Sequence, residues 1–294
     1  MTEITRTFAE TRQRGRGRVG LVPTMGFFHE GHSALMAAAR AASETVVVSL
    51  FVNPLQFNDR ADLERYPRDL DRDLEIAREQ GVDLLFVPPA EEMYPLEPLT
   101  RVEVARVADH LEGPRRPGHF AGVATVVAKL FAGLQPDFAF FGRKDAQQLA
   151  VVRRLVLDLS FPVTVIGRPT LREADGLALS SRNVYLRPDD RPQALLLSMG
   201  LFAAADLAEA GHFEASELIA AVRRVGSGVD FEYVTLASQD TAQPIDRIDR
   251  PSFLALAARI GSVRLIDNVA FDLVAGNVIG DRGIRLSAPS RLYS

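Results

Sequence analysis

The chain has 294 residues, 47% of them hydrophobic, a formal net charge of −4 and no cysteine. This length and apolar content fit one large or two medium globular domains with a substantial core. The acidic balance argues against a nucleic-acid partner, and the lack of Cys excludes disulfides, thiolate nucleophiles and thiolate metal sites.

No apolar run reaches the ~18–20 residues of a membrane span. The opening MTEITRTFAETRQRGRG has no apolar core of a secretory signal, so the expected location is cytoplasmic. Arginine is abundant, whereas the lysines are Lys129 and Lys144 alone. Arg does not reproduce the compact charge of Lys, so each retained Lys is worth inspecting.

In chain order, Arg18–Val22 reads as a strand ended by Pro23 and Gly26, with a helix following from about 30 to 42. Thr45–Val52 is a buried-strand run, 60–80 a charged helical stretch, Asp83–Val87 a strand and Val102–Val107 a strand or sheet edge. A helix at Phe120–Leu134, a strand at Asp137–Phe141, a helix at Ala146–Leu159 and a strand at Pro162–Gly167 continue the alternation. This is the pattern of an α/β, doubly wound parallel sheet.

Beyond about 175 the pattern changes. Helices at 188–209 and 214–225 precede strand-like runs at Phe231–Ala237, Phe253–Ala258 and Val263–Asn268. We read domains at 1–174 and 175–294, the second a smaller α+β unit, with the last ~20 residues expected to be partly disordered.

Four polar clusters stand at strand ends or at the expected domain junction. In GLVPTMGFFHEGHS, His29 and His32 are three apart at a helix start, where free N–H groups and the positive dipole end favour phosphate. Gly31 lets a flat ring approach the backbone. Zinc is disfavoured, because the metalloprotease spacing is i, i+4. In FVNPLQF, Asn53 and Gln56 can orient a hydroxy acid or amide by two-point bonding, although Asn53-Pro54 also reads as a plain turn.

In FGRKDAQQ, Lys144 can reach a nucleotide phosphate and Asp145 can cap the next helix. Either Gln147 or Gln148 faces the pocket, and a merely solvated Gly-Arg-Lys turn reads equally well from these residues alone. In LREADGLALSSRN, Ser180, Ser181 and Arg182 can clamp an oxyanion or pyrophosphate, or simply form a Ser-capped turn. His110, His119 and His212 are isolated; His119 alone has a position from which to line a substrate cleft. The sequence has no G-x-S-x-G elbow and no G-x-x-x-x-G-K-[ST] loop.

PTMGFFHEGH, FVNPLQF, YPRDLDRD, GHFAGVATVVAKLF, FFGRKDAQQL, READGLALSSRN and LAARIGSVRLIDN occur here in one order. In that order and spacing the chain resembles the pantothenate synthetase (pantoate–β-alanine ligase) family over nearly its whole length. The resemblance implies a Rossmann-like N-terminal domain with a smaller lid-like C-terminal domain, and a homodimer. It implies Mg²⁺-ATP as substrate, a pantoyl adenylate formed with loss of pyrophosphate, and attack by β-alanine to give pantothenate and AMP.

By the same resemblance, Met25, Gly26, Phe27, Phe28, His29, Glu30, Gly31 and His32 wrap ATP, with His32 the proton donor and His29 on the phosphates. Gln56 and Gln148 bind pantoate beside Asn53 and Met25. Gly142, Arg143, Lys144 and Asp145 hold ribose and phosphates, Leu171 meets adenine through its backbone, and Leu179, Ser180, Ser181 and Arg182 form the phosphate signature. Catalysis falls to His29, His32, Lys144 and Arg182, with no protein ligand assigned to the metal. Three positions depart from the family pattern: Arg143 stands where Glu is common, Phe28 where Leu is usual, and Arg72 where an acidic residue is common.

Overall fold

The computed structural model describes residues 2–293. Two compact units divide the chain: Met1–Ala105, Gly113–Phe141 and Val151–Arg168 form one, and Arg106–Glu112, Gly142–Ala150 and Pro169–Ser294 the other. Among the described residues, no helix is long and apolar enough to cross a membrane.

The first unit contains β1 (Glu3–Thr5), α1 (Phe8–Arg14), β2 (Val19–Thr24), α2 (Glu30–Ala42), β3 (Thr45–Leu50), α3 (Arg60–Arg65) and α4 (Leu70–Glu79). It continues through β4 (Leu84–Phe86), α5 (Ala90–Met93), α6 (His119–Leu134) and β5 (Phe138–Gly142), and after α7 (Ala146–Leu159) ends with β6 (Thr164–Arg168). The six strands form one sheet in the order β1-β4-β3-β2-β5-β6, and β1–β4, β4–β3, β3–β2 and β2–β5 pair in parallel. Val22, Val46, Val48, Leu85 and Phe140 from the strands pack with Phe28, Met36, Ala39 and Ile76 into a single cluster. Burial on both faces explains why these strands read as continuous apolar runs.

Several sequence expectations need correction here. β1 and α1 were not anticipated, because three residues of strand carry no periodic signal. Pro23 does not end β2, which runs on to Thr24. Successive residues of a strand point their backbone groups to opposite neighbours, and Pro23 shares its side with Leu21, where β2–β5 pairing stops. Its missing N–H therefore breaks no ladder bond. The 60–80 stretch is two helices interrupted at Tyr66-Pro67. Val102–Val107 is not a strand: Val102 N–H donates to Thr125 Oγ1 at 3.0 Å, and Arg106 turns the chain with φ 68°.

In the second unit, β7 (Leu171–Arg172) precedes α8 (Arg191–Glu209), α9 (Ala215–Val225), β8 (Asp230–Ser238), β9 (Ser252–Ile260), β10 (Val263–Val274), β11 (Asn277–Asp281) and β12 (Ile284–Arg285). Strands β11-β10-β9-β8 form an antiparallel sheet, and β12 pairs in parallel with β7. Leu197, Leu201 and Ala204 of α8 share a core with Leu218 and Val222 of α9 and with Leu254, Leu256 and Phe271 of the sheet. The helices approach closely at Gly200, where a Cβ would stand 3.1 Å from the Val222 carbonyl. The last ~20 residues, as far as Tyr293, are ordered into β11, β12 and a short 3₁₀ turn, contrary to expectation.

Arg172 is wholly buried and holds this unit together. Its guanidinium donates to both Asp267 carboxylate oxygens at 2.7 and 3.0 Å, to the Asn268 carbonyl at 3.2 Å and to the Gly176 carbonyl at 3.2 Å. The planar fork meets a carboxylate, and the remaining donors meet backbone oxygens, so the buried charge is fully compensated. Asp267→Ala leaves that guanidinium unpaired and is expected to cost about 3–5 kcal/mol, read from urea unfolding midpoints. A loss below about 1 kcal/mol would show that the charge finds water instead.

Candidate active site

In the first unit, the site is built where β2 ends. The chain leaves Thr24, turns through Gly26 and Phe27 at φ 85° and 54°, and enters α2 with His29 as N-cap. His29 Nδ1 accepts the Gly31 N–H at 3.1 Å, and His32 Nδ1 accepts the His29 N–H at 3.3 Å. The two rings stand 4.2 Å apart, so the expected shared face is formed. With both Nδ1 atoms acting as acceptors, each neutral imidazole carries its proton on Nε2 and can donate from there. Gly31 is needed for a reason different from the one expected. A Cβ there would lie 2.7 Å from His29 Cε1, so the ring that comes close belongs to the protein.

The turn before His29 is gripped from α4. Asp73 is almost fully buried; its Oδ2 accepts Phe27 N–H at 2.7 Å and its Oδ1 accepts Phe28 N–H at 2.6 Å. Beside it, Arg72 donates to the Phe28 carbonyl at 2.8 Å, and its guanidinium lies 5.1 Å from the centre of the Phe27 ring. The departure at Arg72 is thereby explained, since this side chain braces the turn. Phe28 is fully buried and 5.5 Å from the His32 ring, which it backs. Neither Asp73 nor this bracing role was foreseen. The available signal was an acidic residue at helical spacing with Leu70, Ile76 and Ala77, on the face that carries Ile76 and Ala77 into the core.

Asn53, Gln56 and Met25 also come together. Asn53 Nδ2 donates to Gln56 Oε1 and to the Gly122 carbonyl, both at 3.1 Å, and Gln56 Nε2 lies 2.8 Å from Met25 Sδ. Tyr94 hydroxyl donates to Asn53 Oδ1 at 2.9 Å, which fixes the amide orientation. Burial pushes the Tyr94 phenol up to about 12, so it stays a donor across the ordinary pH range. His119 Nδ1 donates to the Gln56 carbonyl at 2.8 Å, and its Nε2 then accepts from Arg116 at 3.1 Å. His119 is thus a buried brace of the Gln56 turn rather than an isolated side chain. Gly122 of α6 passes so close that a Cβ would stand 2.2 Å from the Leu55 carbonyl.

In the second unit, Gly142 leads into a 3₁₀ turn, Arg143–Asp145, that runs directly into α7. Asp145 is therefore part of the helical path and not its cap; its carboxylate stands 3.8 Å from Lys144 Nζ. Asn268 Nδ2 donates to the carbonyls of Arg143 and Lys144 at 3.0 and 2.7 Å, fixing the turn that carries the lysine. The Arg143 side chain reaches Asp272 and Asp281 at 3.4 and 3.0 Å, which accounts for a cation at that departing position. Gln147 is committed to the backbone: it accepts Glu112 N–H at 3.0 Å and donates to the Val107 and His110 carbonyls at 2.8 Å. Gln148 is half-buried beside it.

Leu171 and Leu179 are joined by a bond from Leu179 N–H to the Leu171 carbonyl at 2.9 Å. Ser180 then caps a 3₁₀ turn, accepting Arg182 N–H on Oγ at 3.3 Å, while its carbonyl accepts Asn183 N–H at 2.9 Å. The His110 carbonyl accepts from Gln147 at 2.8 Å, and His212 pairs with Glu217 on the surface at 2.9 Å.

Burial raises the Asp73 carboxyl above the usual range, outweighing its two backbone N–H bonds and the Arg72 charge. The native state then binds this proton more readily than the unfolded chain does. The group's contribution to stability falls as pH rises from the ordinary carboxylate value through the raised native one. Thermal unfolding of the parent and of Asp73→Asn from about pH 3.5 to about pH 7 should show the difference moving in the variant's favour as pH rises. Movement in the opposite direction would mean that the N–H bonds outweigh burial.

The family model described as "Pantoate-beta-alanine ligase" matches residues 1–270. The pantothenate synthetase of Pelotomaculum thermopropionicum is 49% identical over 91% of this chain and 96% of its own. The crystal structure of pantothenate synthetase from Thermus thermophilus superposes with a TM-score of 0.85 at 48% identity, covering 90% of this chain and 98% of that one. A pantoate–β-alanine ligase from Francisella tularensis, complexed with β-γ ATP and β-alanine, superposes at 0.74 with 34% identity, over 91% and 97% of the two chains. With its parallel sheet, its paired imidazoles at a strand end and these relatives, the chain belongs to the pantoate–β-alanine ligase family of enzymes.

Proposed function

We propose that this ligase condenses (R)-pantoate with β-alanine through a pantoyl adenylate. The observation that carries the reading is the His29–His32 pair, fixed through Nδ1 at the N-terminus of α2, just past the carboxyl end of β2. In the sheet order, the strands following β2 run outward on one side and β5 lies on the other, so β2 and β5 flank the topological switch point where open α/β sheets bind ligands.

A free carboxylate resists attack by an amine because its oxygen leaves poorly. One pantoate carboxylate oxygen attacks the α-phosphorus of ATP, the bond to the β-phosphate bridge breaks, and pyrophosphate leaves. The β-alanine amine then attacks the acyl carbon, loses a proton, and AMP departs with the former carboxylate oxygen. Such in-line displacement needs positioning and neutralised charge more than a protein nucleophile.

His29 and His32 donate from Nε2 to phosphate oxygens, with His32 as proton donor. Lys144 supplies a point charge, and Ser180, Ser181 and Arg182 clamp the pyrophosphate. Gly142 to Asp145 line the ribose and phosphates, and Leu171 offers its backbone to adenine. Gln56 and Gln148 orient pantoate; Gln147 is already saturated by backbone groups, which favours Gln148 of that pair. Mg²⁺ would ride mainly on the phosphate oxygens of ATP, with no protein ligand assigned to it. A homodimer in the cytoplasm completes the proposal.

Pantoate-dependent ATP–pyrophosphate exchange tests it. Lys144→Ala is expected to lose at least ~10²-fold in exchange rate, as for loss of an important electrostatic donor. His32→Ala should lose a similar factor with an unchanged circular-dichroism spectrum. Near-parental exchange in both variants would refute the roles.

A further inference from the structure

The family model stops at residue 270, yet the chain continues in ordered structure to Tyr293. What these extra residues touch is specific. β12 lies along β7: Ile284 N–H donates to the Thr170 carbonyl and Leu286 N–H to the Arg172 carbonyl, each at 2.8 Å. The approach is tight enough that Gly283, at φ 80°, has no room for a side chain; a Cβ would stand 2.2 Å from the Thr170 oxygen. Ser290 and Leu292 are then buried, and the segment finishes at a second point on the same hairpin.

There the Tyr293 hydroxyl donates to Glu173 Oε1 at 2.8 Å and accepts from Arg191 at 3.1 Å. Glu173 is itself buried, and its Oε2 accepts from Arg191 at 2.6 Å. Its Oε1 also accepts from Asn183 Nδ2 at 2.8 Å. Asn183 is buried too; its other side-chain hydrogen goes to the Ala178 carbonyl at 3.0 Å, and its N–H to the Ser180 carbonyl at 2.9 Å. A continuous chain of bonds therefore runs from Tyr293 through Glu173 and Asn183 to the Ser180–Arg182 turn. All of these groups lie in the second unit.

We propose that residues 284–293 form a strap on the Leu171–Asn183 hairpin, and that Tyr293 is a positioning residue that sets the Ser180–Arg182 turn for the phosphates of the nucleotide. The strap lies outside the residues that the family model matches. Burial pushes the Tyr293 phenol up to about 12, and the Glu173 carboxylate adds to this, so the hydroxyl stays protonated and donating under working conditions. The proposal rests on the reading of Ser180–Arg182 as a phosphate clamp.

The test measures ATP KM, pantoate KM and kcat in pantoate-dependent pyrophosphate exchange. Four proteins are compared: the parent, Arg182→Ala, Tyr293→Phe, and the chain truncated after Gly283. Hydrogen exchange of the amides at 178–185 is followed in the same proteins. A disturbance of the turn on the scale of one ordinary hydrogen bond corresponds to an ATP KM raised about three- to tenfold in Tyr293→Phe, with pantoate KM unchanged and faster exchange at 178–185. Truncation should raise ATP KM at least as far; if the truncated chain fails to fold, Tyr293→Phe decides alone, since it removes a single oxygen. Should Arg182→Ala raise ATP KM while the strap variants keep the parental value, the clamp reading stands and the strap is overturned. A lower melting temperature in Tyr293→Phe with ATP KM unmoved overturns it as well, by making the contact merely structural. If Arg182→Ala itself leaves ATP KM unchanged, the clamp reading fails and the strap falls with it.

Discussion

The Asp73 carboxylate is the constraint on which the polar cluster of the first unit depends. It sits in the buried stripe of α4 and accepts two successive backbone N–H groups, at Phe27 and Phe28. Those groups belong to a turn with two residues in the left-handed region, one of them not a glycine. A non-glycine residue there carries strain, which persists only where surrounding bonds over-determine the conformation. Asp73 and Arg72 supply those bonds, and the turn delivers the chain to His29 at the angle that places both imidazoles on one face. A buried carboxylate costs stability at neutral pH, and here it is offset in part by the two backbone N–H bonds and the neighbouring Arg72 charge.

The second unit meets a different difficulty. Its polar residues sit on a short 3₁₀ turn and on the Leu171–Asn183 segment, which folds back on β7 through the Arg172–Ala178 bridge. Two consecutive residues of β10 brace both. Asp267 holds Arg172 at the root of the hairpin, and Asn268 holds the carbonyls of Arg143 and Lys144. One strand of a well-packed sheet thus registers the Lys144-bearing turn against the Leu171–Asn183 segment. Placing a site's supports on regular structure and its reactive groups on loops is how precision and access coexist.

The neutral amides show how few bonds are needed to remove freedom. Asn53 has its oxygen occupied by the Tyr94 hydroxyl and its nitrogen by Gln56 and Gly122, so its orientation is decided. Gln147 is saturated in the same way, although no sequence pattern separates it from Gln148. Adjacent residues on a helix point about 100° apart, and only the packing of the 106–112 segment shows which one is turned inward.

The alternation of apolar runs, the position of the His pair at a helix start, and the list of polar clusters were all legible from the chain itself, because burial on both faces of a parallel sheet leaves a strong one-dimensional trace. The doubly wound class and the family resemblance followed from that trace and from the motifs. Short features left none: the three-residue β1, the two-residue β7 and β12, and the continuation of β2 through Pro23 depend on which neighbour a backbone group faces. The roles of Asp73, Tyr94, His119 and Asn268 also came only from the tertiary structure. Each acts on residues between about 40 and 125 positions away, and a hydrogen bond between distant segments is encoded by neither partner alone.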